Sequence, residues 1–143
     1  MSKKVLIIGC TGTMGRALAD YWVQKGYDTW GICRSHCVIN KAVHYMYGDA
    51  TDEGFMRHVL ESADFDAIVD FMWYDPKIFV NQIGLLLALT KHYICLSSCA
   101  VSAHSSTPIK ETYPRFFDIA SESEKNDIGW HYHLEKARIE NII

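Results

Sequence analysis

Val5-Leu6-Ile7-Ile8-Gly9-Cys10-Thr11-Gly12-Thr13-Met14-Gly15 decides how this chain folds. Four apolar residues without polar alternation mark a strand covered on both faces, as in a parallel sheet. Beyond the glycines, Met14, Ala17, Leu18, Tyr21 and Trp22 recur at helical spacing, and Gly26 follows as the stop. The three glycines therefore lie between a strand and a helix. In that setting the first permits a tight turn, the second lets a pyrophosphate approach the backbone, and the third lets helix and strand pack closely, while free amides at the helix N-terminus attract the anion. A dinucleotide is the expected ligand, touched by Gly9, Thr11, Gly12, Thr13, Met14 and Gly15. No Gly-Lys-Ser/Thr follows, which excludes a P-loop.

The strand and helix pattern then repeats. Strands are expected near Thr29–Cys33, Val43–Tyr47, Ala67–Phe71 and Tyr93–Leu96, with helices over Asp52–Ser62, from Pro76 to about Thr90, and from about Gly129 to the C-terminus. This alternation predicts an α/β fold with a doubly wound parallel sheet. Asp52 is the expected N-cap of the second helix.

Composition narrows the function. The 143 residues are 49% hydrophobic and 22% charged, which suits one domain spanning residues 1–143. A net charge of -3 without basic runs disfavours a nucleic-acid surface. No apolar run approaches the ~20 residues of a membrane span, so a cytoplasmic protein without a membrane partner is expected. Five cysteines form an odd set with no secretory leader, which argues for thiols rather than a disulfide framework. The pairs Cys33/Cys37 and Cys95/Cys99, and the histidines His131 and His133, lack the spacing of a tetrahedral site, so no metal is expected.

The last helical segment contains Tyr132-His133-Leu134-Glu135-Lys136, which puts a phenol and an ammonium on adjacent turns of one face. A tyrosine is a poor base near neutrality, and a neighbouring cation stabilises its phenolate. At the end of the second strand, a ribose with two hydroxyls calls for a carboxylate and a 2′-phosphate calls for a cation. Here Cys33 and Arg34 stand, and Arg34 favours NADP, with NAD still possible if Arg34 merely stacks on adenine.

Gly-x-x-Gly-x-x-Gly with Thr11 before the second glycine, Asp66-Ala67-Ile68-Val69-Asp70, Ser97-Ser98, Pro108-Ile109-Lys110-Glu111-Thr112-Tyr113-Pro114 and Trp130-His131-Tyr132 together resemble the short-chain dehydrogenase/reductase superfamily. The likeness is to its extended, nucleotide-sugar epimerase/dehydratase-like branch. That resemblance implies an oxidoreductase-type enzyme in which Tyr132 removes a hydroxyl proton while hydride moves to the nicotinamide. It assigns Asp49 and Ala50 to the adenine ring, Phe71 and Trp73 to the cofactor wall, and Lys136 to the nicotinamide ribose as well as to the tyrosine. Ser98 would hydrogen-bond the reacting oxygen, with Ser97 as the alternative. Asn81, in Asn81-Gln82-Ile83-Gly84, would prop a water chain, and as a buried amide would need pairing. The branch also implies a homodimer through the Asn81 and Tyr132 helices and a further substrate domain, so the chain reads as the N-terminal part of a longer protein. An NADP-binding redox sensor without turnover, or an RNA-binding relative, is the alternative function; the retained Tyr132 and Lys136 and the negative charge count against both.

Overall fold

The computed structural model describes residues 2–36 and 38–143, so the expectation of a free thiol at Cys37 lies outside the described residues. Five parallel strands form one sheet: β1 (Lys4–Ile8), β2 (Asp28–Cys33), β3 (His44–Tyr47), β4 (Ala67–Asp70) and β5 (Tyr93–Cys95). Their order is β3-β2-β1-β4-β5. The helices are α1 (Thr13–Gln24), α2 (Glu53–Glu61), α3 (Pro76–Ala88), α4 (Phe116–Ile119), α5 (Glu122–Lys125) and α6 (His131–Ile142), with 3₁₀ turns at Cys99–Val101 and Ile128–Trp130. The doubly wound α/β architecture is the one that the alternation predicts. No helix among the described residues is long and apolar enough to cross a membrane.

Contacts divide the chain into two compact units, Met1–Met72 with Asn81–Leu96, and Trp73–Val80 with Ser97–Ile143. In the first, period-two alternation sends neighbouring strand residues to opposite faces, and both faces are covered. Leu6, Ile8, Ile32 and Ile68 pack with Met56, Val59 and Leu60 of α2 and Leu86 of α3. Ile7, Cys10, Cys33 and Val43 pack with Ala19, Leu18, Trp22 and Val23 of α1 on the other side. This two-sided burial is why residues 5–8 of β1 read as an unbroken apolar run. At the entry to the sheet, Asp66 accepts from the Lys4 amide at 2.9 Å and from Lys91 Nζ at 2.6 Å. The Lys91 hydrogen bond, then that of Lys4, holds the Asp66 carboxyl below its ordinary range. At the exit, buried Asp70 accepts from the Met72 amide and the Tyr93 hydroxyl, both at 2.9 Å. Asp52 caps α2 as expected, accepting from the Phe55 amide at 2.6 Å.

The second unit has its own small core of Phe116, Ala120 and Leu134, with Trp130 stacked on Phe116 at 4.6 Å. Between β5 and α6, where the sequence pattern predicts no helix, α4 and α5 are short helices of four residues each. Nucleation is costly for so few residues, and local caps and packing make up the difference. Ser121 and Glu124 form a reciprocal capping box on α5, and Phe116 buries α4. Arg115 holds Asp118 through two nitrogens at 3.0 Å each and reaches Glu140 of α6 at 3.4 Å.

Two glycines should respond to alanine in opposite directions. A Cβ on Gly15 would lie 2.3 Å from the Gly9 carbonyl oxygen and 2.8 Å from Cys10 Cα, both rigid backbone, whereas one on Gly84, exposed within α3, would meet nothing within 4 Å. Gly15→Ala should destabilise by about 1–3 kcal/mol, the range for overpacking. Gly84→Ala should stabilise by about 0.5–1 kcal/mol through helix propensity. Urea unfolding midpoints of the two variants check the sign of each.

Candidate functional site

In the first unit a cavity of about 390 Å³ opens at the C-terminal ends of β1 to β4. In an open parallel sheet, ligands gather at that edge where the strand order reverses, here between β1 and β4. Its floor is the glycine turn, Gly9 with Thr11 to Gly15; one wall is Ile32, Cys33 and Arg34, another Gly48 and Ala50, and the last Phe71 and Met72. The size suits a small-molecule site.

The turn is built for an anion. Gly9 has φ +83°, which allows its carbonyl to accept from the Gly12 amide at 3.2 Å. Gly12 is the N-cap of α1 and offers no side-chain cap, so the first-turn amides of Thr13, Met14 and Gly15 have no side-chain acceptor among the described residues. Arg16 Nε holds the Thr11 carbonyl at 2.8 Å and fixes the loop from outside. Cys10 is buried and anchors the turn to β2, its thiol on the Ile32 carbonyl at 3.2 Å.

At the adenosine end, Arg34 is exposed at the mouth of the cavity and its charge reaches Asp49. The Asp49 carboxyl sits below its ordinary range chiefly because it accepts the Thr51 amide and hydroxyl, at 2.9 and 2.8 Å, with Arg34 a smaller cause. Both bonds use Oδ1. Asp49 Oδ2 has no hydrogen-bond partner among the described residues and is left to accept an exocyclic amine. These are the groups that could hold a dinucleotide, the α1 amides at its pyrophosphate, Asp49 and Ala50 at its adenine and Arg34 at its ribose.

The second unit carries the tyrosine. α6 follows the Ile128–Trp130 turn, which Asp127 caps at 2.8 Å from the Gly129 amide. Tyr132 is 43% exposed and Lys136, one turn on, is 5% exposed among buried Leu134 and Ala137. Ser98 caps the Cys99–Val101 turn, its Oγ accepting from the Ala100 amide at 3.2 Å, so its hydroxyl proton remains to be donated. Ser97 is hydrogen-bonded to Glu140 instead.

Two expectations change. Trp73 does not line the cavity with Phe71 and Met72; it belongs to the second unit, where its ring meets Tyr132 at 5.9 Å and His131 at 6.3 Å. Asn81 is exposed on α3 rather than buried. Its neighbour Gln82 is the buried amide, with neither polar atom partnered among the described residues. The helical phase Phe79, Gln82, Ile83, Leu86 was the available signal, because those positions share the apolar stripe. The cavity also uses Ile32, Cys33, Gly48 and Met72, which flank the residues the sequence assigned to the cofactor and reach it through the register that ends four strands at one level.

The profile of the NAD dependent epimerase/dehydratase family matches residues 5–77. A GDP-mannose 4,6-dehydratase of Vibrio cholerae is 29% identical over 150 residues, covering 80% of this chain and 40% of that protein. Among solved structures, the UDP-Glc/GlcNAc 4-epimerase of Campylobacter jejuni superimposes with a TM-score of 0.78 at 18% identity, covering 99% of this chain and 48% of the other. The Bordetella bronchiseptica enzyme WbmG, in complex with NAD and UDP, gives 0.74 at 16% identity, with 99% and 49% covered. At such identities the superpositions show the fold, and this chain spans about half the length of these relatives. The family profile covers just over half of the chain and runs from β1 into α3, across the elements that build the cavity; the chain belongs to the NAD dependent epimerase/dehydratase family.

Proposed function

We propose that the chain is the cofactor-binding part of an NAD(P)-dependent enzyme that acts on a nucleotide sugar. The observation that carries this reading is the cavity at the strand ends, floored by the glycine turn and the first turn of α1 and lined by Arg34, with Asp49 standing between the lining residues Gly48 and Ala50. The glycine turn binds the pyrophosphate, Asp49 and Ala50 receive the adenine, and Phe71 with Met72 closes the wall. Arg34, with Cys33 in place of a carboxylate, selects the 2′-phosphate of NADP over the bare ribose of NAD. Bound nicotinamide would supply the acceptor and donor of hydride for carbinol–carbonyl interconversion on the sugar.

The protein's own part is to manage protons and position. Tyr132 takes the proton of the reacting hydroxyl, and the Lys136 ammonium on the next turn steadies the phenolate. Ser98 donates its remaining proton to the same sugar oxygen. Holding these groups and the substrate in one geometry removes much of the entropic part of the barrier. Asn81, being exposed, has a lesser claim to the water chain than the resemblance gives it.

Calorimetry on the chain tests the cofactor reading. NADPH should bind more tightly than NADH, and Arg34→Ala should narrow the gap by about 1.5–3 kcal/mol, the worth of a hydrogen bond to a charged group. Equal affinities would remove Arg34 from this role. Turnover of GDP- and UDP-hexoses by the full-length gene product tests the enzyme reading. Tyr132→Phe should lower kcat by about 10²–10⁴, the usual contribution of a general base, with NADPH affinity retained. Unaltered turnover in that variant would exclude the tyrosine mechanism.

A second copy of the chain is the expected partner, with exposed Ile78, Val80 and Leu87 of α3 as the apolar surface that dimerisation would cover. Light scattering should give twice 16.3 kDa, returning to the single mass in a Val80→Glu/Leu87→Glu variant. A single mass for the unaltered chain at high concentration would leave α3 a solvated face.

A further inference from the structure

Trp73 is a large aromatic side chain that the cofactor cavity does not use. The wall of that cavity ends at Phe71 and Met72, and the indole is packed with the tyrosine instead. Its ring centroid lies 5.9 Å from that of Tyr132 with the two planes at 63°, and it meets His131 at 6.3 Å. Trp73 comes from the segment between β4 and α3, whereas His133, whose ring lies 6.2 Å from the phenol, is on α6 itself. The indole therefore brings a second element to the side of the tyrosine. Both rings leave much of their surface to solvent, Trp73 at 52% and Tyr132 at 43% exposed. Apolar side chains scattered singly over a surface are ordinary. Two in ring contact at an open angle make a corner, with an apolar wall on one side and a phenol on the other.

The chemistry of that wall selects what packs on it. A hydroxyl that gives its proton to Tyr132 comes within hydrogen-bond reach of the phenol oxygen, about 2.6–3.2 Å, and brings the carbons that carry it against the group flanking the phenol ring. A pyranose shows C–H groups on its faces and hydroxyls at its rim. The face of an indole is the negative side of an aromatic quadrupole, complementary to the small positive charge of C–H groups, and it offers a rigid apolar plane at little conformational cost. We propose that Trp73 is a specificity-determining residue of the tyrosine site, the wall on which the sugar ring packs while its reacting hydroxyl meets Tyr132. This rests on the nucleotide-sugar reading above and deepens it by naming the group that recognises the sugar. A planar nicotinamide is the competing occupant of an indole face, but the cofactor cavity takes its wall from the two residues before Trp73 and not from Trp73.

The test isolates the sugar by difference. Calorimetry on the full-length gene product compares UDP-glucose with UDP and GDP-mannose with GDP, so that each pair reads how much affinity the hexose adds. In the wild type at least one hexose should add affinity, and Trp73→Ala should shrink that increment by about tenfold, the order of an aromatic contact, with the affinities for UDP, GDP and NADPH retained. Trp73→Phe, which keeps a ring, should preserve most of the increment, and Trp73→Leu, which keeps apolar bulk without a ring, should lose it; this second pair decides the matter if the alanine variant does not melt like the wild type. For the hexose that is turned over, KM should rise in Trp73→Leu while kcat stays nearly unchanged, because the wall touches ground state and transition state alike. A fall in kcat with the increment intact would make Trp73 a prop for the phenol and overturn the proposal. Loss of NADPH affinity in place of the sugar increment would assign the indole to the cofactor and overturn it equally, as would a wild type that binds the nucleotide sugars no better than the bare nucleotides. A wild type that binds neither overturns the nucleotide-sugar reading and this proposal with it.

Discussion

The carbonyl of Gly9 stands where a side chain on residue 15 would have to go, only 2.3 Å from where its Cβ would lie. That close approach brings the first turn of α1 down onto the end of β1, and the rest of the cofactor-side structure depends on it. It leaves the first-turn amides of Thr13 to Gly15 without a side-chain acceptor among the described residues. The strand beneath them is fully buried, so the amides are presented from a surface that cannot yield. An anion site made of backbone needs this rigidity, since its donors have no side-chain freedom with which to compensate for displacement.

Around that turn the charges are arranged by local hydrogen bonding. Asp49 spends one oxygen on Thr51 and keeps the other open. Arg34 stays in solvent at the cavity mouth, where it can fold over a ligand without the desolvation cost of a buried guanidinium. Buried Asp70 and half-buried Asp66 serve different ends: they tie β4 to its neighbours at the exit and entry of the sheet, holding the strand ends level.

The second unit is stapled by polar contacts more than by apolar area. Ser97 and Arg115 both reach Glu140, and Arg115 also grips Asp118, so the segment after β5 and the short α4 are fastened to the far turn of α6. Those bonds account for why Ser97 is committed to structure and Ser98 keeps a proton to give. The same helix turns Glu135 inward against His131 and sets Tyr132 outward.

Local chemistry was sufficient for much of this. The unbroken apolar run Val5–Ile8 marked the first strand, because both its faces are covered; the alternation of strand and helix patterns placed the other four; the glycine spacing gave the turn; and Asp52 announced its helix by the hydrogen bond a short acceptor can make to the Phe55 amide. What the chain could not display one residue at a time was phase and convergence. Asn81 and Gln82 are chemically alike, and only the seating of α3 decided that the second is the buried one. Trp73 follows Phe71 and Met72 in sequence, yet the chain leaves the sheet there and carries it to the tyrosine. Cys33, Gly48 and Met72 share a cavity because parallel register ends their strands together, and the Glu135–His131 pair acquires its asymmetry from burial on one side of α6. Propensity and pattern are properties of neighbours along the chain, whereas burial and convergence belong to residues brought together from distant strands and helices, so the elements were legible in the sequence and their meeting points required the folded molecule.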